Sequence, residues 1–288
     1  MSDASQPERR VGWGFLHSYR WVGYFVMLLV FALGCVLLSH WQFSRLDEKR
    51  AEVARIDRNY DAAPVALDAA VPDRKSFDEN AWKWHPVELH GEYLSTPLLA
   101  RNRPGPEGVG SDLIQGFRLD DGGVIFIDRG WVPVAGTDEV PADLPFAAGG
   151  ESTVLARLRG SEQKIGGATA SNGTVPSINA PMLAGLIGAE DTAYLGVYGQ
   201  LISEQPAAET GMLPAPPERD EGPHLSYALQ WAVFILIAGI GVGYAARQEF
   251  RNLNSGDPKL EAEDRRKAER KRRRGPSDAE IEDALLDG

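Results

Sequence analysis

The pattern of hydrophobic and polar positions contains two long apolar runs without charged residues, one near each end of the chain. The first lies between Arg20 and Arg45, and the second lies between Glu221 and Arg247. An α-helix rises about 1.5 Å per residue, so roughly 20 apolar residues cross a bilayer core of about 30 Å. Both runs are long enough, and they predict two transmembrane helices at residues 21–40 and 224–246.

The segment between these runs is too polar to lie in a bilayer, and most of it follows the two-residue period of β-strands. Helical spacing first continues beyond the membrane, which predicts a helical extension at residues 41–63 that Pro64 ends. A mostly-β domain at residues 64–205 and a proline-rich linker at residues 206–223 follow. The predicted fold class is a membrane α-helical hairpin of two transmembrane helices with an inserted mostly-β extracytoplasmic domain.

Within this domain, alternating apolar positions and turn residues predict a small barrel or sandwich of about five to seven strands. The clearest element is a hairpin around the turn sequence Asp-Asp-Gly-Gly at residues 120–123. Residues 102–110 are rich in glycine and proline and predict a loop. The remaining expectations are a strand from Trp82 to Leu94, hairpin strands at residues 113–119 and 124–132, strands at 153–158 and 194–202, and a short helix within 176–190.

The distribution of charge predicts how the chain is oriented. Basic residues are abundant after the second run, whereas Arg219 alone precedes it within about 20 residues, so the positive-inside rule places this end in the cytoplasm. Two spans put both termini on one side, which makes residues 1–20 a cytoplasmic leader and residues 247–288 a charged cytoplasmic tail. The expected location is the cell (plasma) membrane of a bacterium, as a multi-pass protein.

The central domain is strongly acidic, with 24 Asp and Glu against 11 Lys and Arg over residues 59–223. This balance repels nucleic acid, so no nucleic-acid partner is expected. Membrane lipid is an expected partner, since the basic residues of the tail suit anionic headgroups. The same basic residues are also typical of a segment that only sets topology.

Two alternatives to a transmembrane helix fit the first apolar run less well. A cleaved signal peptide has a shorter apolar core than this run. A lipoprotein signal would place its leucine one position earlier before Cys35, and the apolar run continues past this residue. Cys35 is the single cysteine, so the chain has no intrachain disulfide.

The sequence argues against two classes of function and against one possible metal site. Copper carriers need soft cysteine or methionine ligands, and this chain has one cysteine and four methionines. Hydrolase and nucleotide-binding motifs are absent from the sequence, so an enzyme is not expected. His85 and His90 are expected on opposite faces of one strand and are therefore poor joint metal ligands.

Four motifs occur in an order that resembles the surfeit-locus family of cytochrome c oxidase assembly factors. Residues 41–49 look like the family's W-Q-x-x-R-x-x-x-K, and Gly91-Glu92-Tyr93 looks like its G-x-Y. Residues 129–133 look like its R-G-W-V-P strand, and residues 224–231 look like its H-x-x-Y-A-x-Q-W. The resemblance covers roughly residues 20–250 and includes the two-span layout.

The resemblance implies a membrane protein that assists haem a insertion into subunit I of cytochrome c oxidase. Bacterial relatives are thought to bind haem a through a histidine at the head of the second span, which is His224 here. The implied cofactor is haem a, with His224 as the metal ligand to its iron. Cytochrome c oxidase subunit I and the haem a synthesis machinery are the implied partners.

The residues around His224 can support such a role. An imidazole is a common axial ligand of haem iron. Tyr227 and Trp231 lie three and seven positions further on, which places them on the helix face of His224. His40 ends the first span at the same membrane level and is a candidate second ligand, and Arg45 is a candidate partner for a haem propionate. Tyrosine and tryptophan at this depth are also ordinary interface anchors.

The alternative function is a protein-only membrane scaffold that stabilises oxidase subunit I during assembly. Gly239 and Gly243 are spaced for close helix packing, either on the first span or on an oxidase helix. Arg129-Gly130-Trp131 is interpreted as a strand end with a packed tryptophan, with a partner-docking edge as the other interpretation.

Overall fold

The computed structural model describes residues 12–133, 144–145, 147, 149–255 and 257–274. The chain forms two compact units, one made of Met1–Leu46 with Gly222–Gly288 and the other of Asp47–Glu221. Residues 1–11 of the expected leader and residues 275–288 of the expected tail lie outside the described residues. In chain order, the elements are a 3₁₀ helix (Trp13–His17), α1 (Tyr19–Asn59), β1 (Val65–Ala66), α2 (Leu67–Ala70), α3 (Glu79–Trp82), β2 (Pro86–Gly105), β3 (Gly108–Leu119), β4 (Val124–Val132), β5 (Glu151–Gly160), β6 (Thr174–Val175), α4 (Ala180–Ile187), β7 (Val197–Gln205), α5 (His224–Leu253) and α6 (Pro258–Arg274).

Two helices, α1 and α5, are long and apolar enough to cross a membrane. Only 6% of the most apolar window of each is buried, so most of their large side chains are exposed. A core helix of a water-soluble protein would bury this surface. The buried and half-buried residues of α1 instead form a narrow stripe, with Trp21, Leu28, Cys35 and Gln42 spaced seven apart.

The seven-residue stripe of α1 has a counterpart on α5. Its half-buried and buried positions follow the alternating spacing of three and four residues that two packed helices share: His224, Ala228, Trp231, Ile235, Ala238 and Val242. Small side chains at Cys35 and Ala228, which are 2% and 1% exposed, bring the two backbones close together. The two helices of this unit therefore form a close-packed pair.

The first helix continues well beyond its apolar part, as its spacing predicts, and ends at Asn59. The buried Asn59 amide donates hydrogen bonds to the carbonyl oxygens of Ala81 (2.8 Å) and Lys83 (2.9 Å). These bonds hold the last turn of α1 against the end of α3 and the residue that follows it. The end of the helix is thus fixed by side-chain contacts several residues before Pro64.

The second unit is built on a mixed sheet that closes on itself. β2 pairs with β3, β3 with β4, β4 with β7, β7 with β5, and β5 with β2. The ring is antiparallel except between β4 and β7, and the short strands β1 and β6 add in parallel to β2. Closure is possible because β2 is long: residues 86–92 pair with β5 and residues 91–105 pair with β3. Of the two predicted architectures, the structure is the barrel.

Every residue of β4 is buried, because the strand is covered on both faces. Ile125 and Ile127 point into one apolar cluster with Val87 and Leu158. Their neighbours Val124 and Phe126 belong to a second cluster, which includes Ile178, Leu183 and Ala184 of and beside α4. Since successive side chains of a strand point to opposite faces, β4 lies between the barrel interior and the α4 layer.

Several sequence predictions for this unit are confirmed. β3 and β4 form the predicted antiparallel hairpin, and α4 lies within residues 176–190. Asn179 caps α4 by accepting a hydrogen bond from Met182 N, and Gly188 ends the helix in the left-handed conformation. The predicted strand at 153–158 lies within β5, whereas β7 begins at Val197, three residues after the predicted start, and ends at Gln205.

Two predictions were wrong. The strand expected from Trp82 begins at Pro86, because Trp82 belongs to α3, so His85 precedes β2 and the argument about opposite strand faces does not apply to it. Residues 102–110 are not a loop: Arg103 pairs with Gly110 and Pro104 with Val109, which leaves Pro106 and Glu107 as the turn. The glycines here serve strand packing, as the position of Trp131 shows below.

Candidate functional site

His224, the predicted haem ligand, is the first residue of α5 and is half-buried. Its ring nitrogen Nδ1 lies 2.8 Å from Oε1 of Gln42, a residue of α1 that is 182 positions away in sequence. Gly222 lies beside the opposite edge of the ring: a Cβ at this position would lie 3.5 Å from Nε2. A side chain at Gly222 would thus begin in ordinary van der Waals contact with the Nε2 edge of the imidazole.

A second hydrogen bond between the helices lies one turn away. The hydroxyl of Ser39 donates to the carbonyl oxygen of Ala228 at 3.1 Å. Moving three residues along α1, from Ser39 to Gln42, corresponds to moving back four residues along α5, from Ala228 to His224. This is the register of two antiparallel helices, and it fixes where the Gln42 amide lies relative to the imidazole.

The other predicted site residues differ in how far they are buried. Trp231 is half-buried on the same α5 face as His224, and its Nε1 is buried without a hydrogen-bond partner among the described residues. Tyr227 is 48% exposed, and His40 and Arg45 are exposed. The structure thus brings His224 and Trp231 to one face, and it places Gln42, rather than His40, against the imidazole.

Sequence reasoning assigned no role to Gln42. Gln42 is the glutamine of the W-Q-x-x-R motif, and it continues the seven-residue stripe of Trp21, Leu28 and Cys35. A polar residue at an apolar stripe position is a recognisable signal of a specific contact. Its partner could not be identified, because nothing in the sequence gives the register between two helices so far apart in the chain.

Gly239 and Gly243 do not contact α1. Both are exposed, and a Cβ at either position would meet no atom within 4 Å in the described structure. The small residues that do face α1 are Ala228 and Ala246, which are 1% and 8% exposed. The prediction that the glycines pack on the first span was wrong, because both are exposed and no described atom lies within packing distance of either position.

A buried polar network fills part of the barrel. Arg129 and Glu204 form an ion pair with side chains 0% and 3% exposed. The Tyr93 hydroxyl donates to Glu204 Oε2 at 2.6 Å, and the Arg129 guanidinium lies 5.0 Å from the centre of the Tyr93 ring. Burial, followed by the neighbouring carboxylate of Glu204, raises the pKa of Tyr93, so this hydroxyl stays protonated and donates.

Trp131 is a packed residue, as the sequence indicates for the R-G-W segment. It is 7% exposed, and its Nε1 donates to the carbonyl oxygen of Arg103 at 3.1 Å. A Cβ at Gly105 or at Gly110 would overlap the Trp131 ring. These two glycines therefore form the slot for the indole across the β2–β3 hairpin.

A cavity of about 550 Å³ opens beside this tryptophan. Asp112 and Asp128 line it together with Arg103 and Gln200, and Met212 and Leu213 of the return linker form part of its wall. Arg103 pairs with Asp112 at 3.2 Å and with Glu162 at 2.6 Å. Burial, followed by repulsion from Asp128, raises the pKa of Asp112 to about 7.

The described residues contain no group of three or more His, Cys, Asp and Glu side chains that would hold a bare metal ion. A haem group differs from such an ion, because the porphyrin supplies four ligands and the protein needs to supply only an axial one. A single half-buried imidazole such as His224 is sufficient for that coordination.

Comparisons with known proteins agree with the motifs. The SURF1 family, the surfeit-locus family named above, matches residues 29–236. Uncharacterized SURF1-like proteins of Mycobacterium bovis and Mycobacterium tuberculosis are each 33% identical over 244 residues, which cover 82% of this chain and 87% of the relative. A SURF1-like protein of Rickettsia bellii is 29% identical over 99 residues, covering 33% of this chain and 38% of that protein. The chain belongs to the SURF1 family.

Proposed function

We propose that this protein is an assembly factor for a haem-copper cytochrome c oxidase, and that it assists haem a insertion into subunit I by binding haem a through His224. The observation that carries the proposal is the position of His224 in a member of this family. It is a half-buried imidazole at the first residue of an apolar helix, held from the neighbouring helix by one ring nitrogen.

The residues around His224 fit a haem group. The ring nitrogen Nε2 lies on the edge of the imidazole away from Gln42, beside Gly222. Trp231 lies two helical turns further along the same face and supplies an indole N–H that is buried without a partner among the described residues. Haem a, when bound, would supply an iron that a histidine nitrogen can ligate. Arg45 and Tyr227 are exposed and offer a cation for a propionate and a flat aromatic surface.

The proposal places α1 and α5 across the cell membrane of a bacterium. The large exposed apolar surface of both helices supports this placement, since such a surface needs lipid or another protein to cover it. The excess of basic residues after α5 supports cytoplasmic termini and an extracytoplasmic barrel. His224 then lies at the outer end of its helix, where haem a could pass to subunit I. The role is non-catalytic.

The test is the visible spectrum of the full chain, purified in detergent from cells that make haem a. We expect absorption in the haem a region for the wild-type protein and its loss in His224→Ala. The matched control is His90→Ala, because this histidine is exposed on β2, outside the candidate ligands, and should leave the spectrum unchanged. A wild-type protein that stays colourless after addition of haem a would contradict the proposal.

The exposed glycine face of α5 favours a second candidate function, a protein-only scaffold for subunit I. Gly239 and Gly243 lie on a surface that α1 leaves uncovered, and small residues of this spacing allow another helix to approach closely. A scaffold predicts that subunit I still co-purifies with His224→Ala and is lost from the double variant Gly239→Leu, Gly243→Leu. A haem carrier predicts loss of haem a from subunit I in His224→Ala.

A further inference from the structure

The hydrogen bond between Gln42 and His224 determines which nitrogen of the imidazole is available. An amide carbonyl oxygen only accepts hydrogen bonds, and Gln42 Oε1 lies 2.8 Å from Nδ1 of His224. Nδ1 must therefore carry the proton of the neutral ring, which leaves the lone pair on Nε2. The nitrogen that carries the lone pair lies on the edge of the ring away from Gln42, beside Gly222.

We propose that Gln42 is a positioning residue: it holds His224 in the Nδ1-protonated tautomer and aims Nε2 at the haem iron. This inference rests on the proposed function and adds the residue that prepares the ligand. Histidines that bind metals generally donate their second N–H to an oxygen acceptor, which fixes the ring orientation and increases the basicity of the ligating nitrogen. Here the acceptor comes from a different helix.

The surroundings of Gln42 make this contact specific. The residue is half-buried in the stripe that faces α5, where the other stripe residues nearby are Cys35, Ser39 and Leu46. The packed stripe holds the two helices in register, and the Ser39–Ala228 hydrogen bond one turn away agrees with that register. Because the backbone positions on both sides are fixed, the amide reaches the ring in one arrangement. A change of the Gln42 side chain thus alters the ligand without removing it.

The experiment measures the tautomer first, without haem. The full chain is labelled with ¹⁵N-histidine, reconstituted in lipid nanodiscs and studied by ¹⁵N–¹H correlation at a pH where the imidazole is neutral. The His224 signals are assigned by their absence from His224→Ala. We expect the Nδ1–H form in the wild-type protein and in Gln42→Glu, whose carboxylate accepts the same hydrogen bond. We expect the Nε2–H form to appear in Gln42→Leu.

Haem a is then titrated into the same samples and followed by absorption. Loss of an outer-shell partner typically weakens metal binding roughly 10–100-fold, so we expect that increase in the dissociation constant for Gln42→Leu and near wild-type affinity for Gln42→Glu. Two controls separate positioning from packing. Gln230→Leu makes the same change at an exposed position of α5, and Ser39→Ala removes the neighbouring bond between the helices. Both should keep the Nδ1–H form.

The tautomer of His224 and the affinity for haem a test the positioning role of Gln42 and the proposed function separately. A wild-type protein with the proton on Nε2, or a Gln42→Leu variant with an unchanged tautomer, would overturn the role of Gln42 while leaving His224-dependent haem binding intact. A wild-type protein with the Nδ1–H tautomer and no affinity for haem a would overturn the proposed function, and the positioning role with it. A tautomer shift in Ser39→Ala as large as that in Gln42→Leu would show that helix packing, not the amide, sets the ring.

Discussion

The guanidinium of Arg129 donates to the carboxylate of Glu204 inside the barrel, and both side chains are almost completely excluded from solvent. The two residues are 75 positions apart, on β4 and β7. Arg129 also donates to the Gln115 side chain and to the backbone carbonyl of Glu209, so it links two strands to the start of the return linker. The arginine of the R-G-W motif is therefore a structural residue of the barrel.

Arg129→Met should destabilise the barrel by about 3–5 kcal/mol, because it leaves the Glu204 carboxylate buried without its cation. Unfolding of the full chain by urea in detergent, followed by tryptophan fluorescence, measures this loss. The double variant Arg129→Met, Glu204→Gln should recover part of it, since the neutral amide oxygen still accepts from Tyr93. The control is Arg118→Met: Arg118 pairs with Glu92 on the surface, and its loss should cost less than about 1 kcal/mol. Equal losses at both positions would contradict this account.

Gly105→Ala should destabilise the β2–β3 hairpin by about 1–3 kcal/mol, because the new methyl group overlaps the Trp131 ring. The same unfolding measurement detects the change. In a Trp131→Leu background, the cost of Gly105→Ala should shrink, since the smaller side chain leaves room for the methyl group. Gly166→Ala is the control, because a Cβ at Gly166 would meet no described atom within 4 Å. Additive losses in the double variant would show that the slot is not the cause.

The stability of the barrel should fall as the pH rises from about 4 to about 7. The folded Asp112 keeps its proton up to a pKa of about 7, whereas the unfolded residue ionises near its ordinary value of 3.8. Between these values the folded state binds more protons than the unfolded state, so a rise in pH favours unfolding. Asp112→Asn should reduce this dependence, with part of it retained because burial also raises the pKa of Asp128, and should be more stable than the wild-type protein by about 1–3 kcal/mol above pH 7.

This pH dependence is measured as the thermal midpoint of both proteins from pH 4 to pH 8. The two midpoints should be closest at pH 4, near the ordinary pKa of 3.8 at which the unfolded residue begins to ionise, and should separate as the pH rises. Arg103 keeps its contact with Glu162 in the variant, so loss of its Asp112 partner does not leave it unpaired. A wild-type midpoint that rises towards pH 7 relative to the variant would contradict the raised pKa.

Ala228→Leu should loosen the helix pair, because Ala228 is 1% exposed where α5 faces α1. Overpacking a close contact of this kind costs about 1–3 kcal/mol and should also lengthen the Gln42–His224 contact. The thermal midpoint of the helical unit in detergent reports the first effect. Gly239→Leu adds a side chain at an exposed position of the same helix and should leave the midpoint within error. A larger decrease of the thermal midpoint in Gly239→Leu than in Ala228→Leu would contradict the assignment of Ala228 to the contact between the helices.

The two apolar helices, the β3–β4 hairpin and α4 were all predictable from local patterns. Charge-free length predicts a span, alternation around Asp-Asp-Gly-Gly predicts a hairpin, and neither needs a distant partner. The loop expected at residues 102–110 failed for the opposite reason. Its glycines and proline are typical of turns, but they form strand because Trp131 requires positions without side chains on the neighbouring strands.

The candidate site likewise combines residues that the sequence predicts with a contact that it does not. His224 was predictable from its motif at the head of an apolar run, and so was its helix neighbour Trp231. The residue that contacts His224 was not: Gln42 lies against the ring, and His40 as a second haem ligand stays a prediction. His40 and Gln42 are two residues apart on α1 and therefore differ by about 200° of rotation about the helix axis. Only the packing of α1 on α5 decides which of these side chains meets the imidazole.

Two helices of membrane length, the acidic β domain between them and the motifs of the SURF1 family can all be identified from the amino-acid sequence. These properties depend on composition, period and short spacings, which are local. The tertiary structure decided that β2 closes the sheet into a barrel, that Arg129 meets Glu204, and that Gln42 holds His224. Each of these is a contact between residues distant along the chain, and its register is set only when the helices and strands pack.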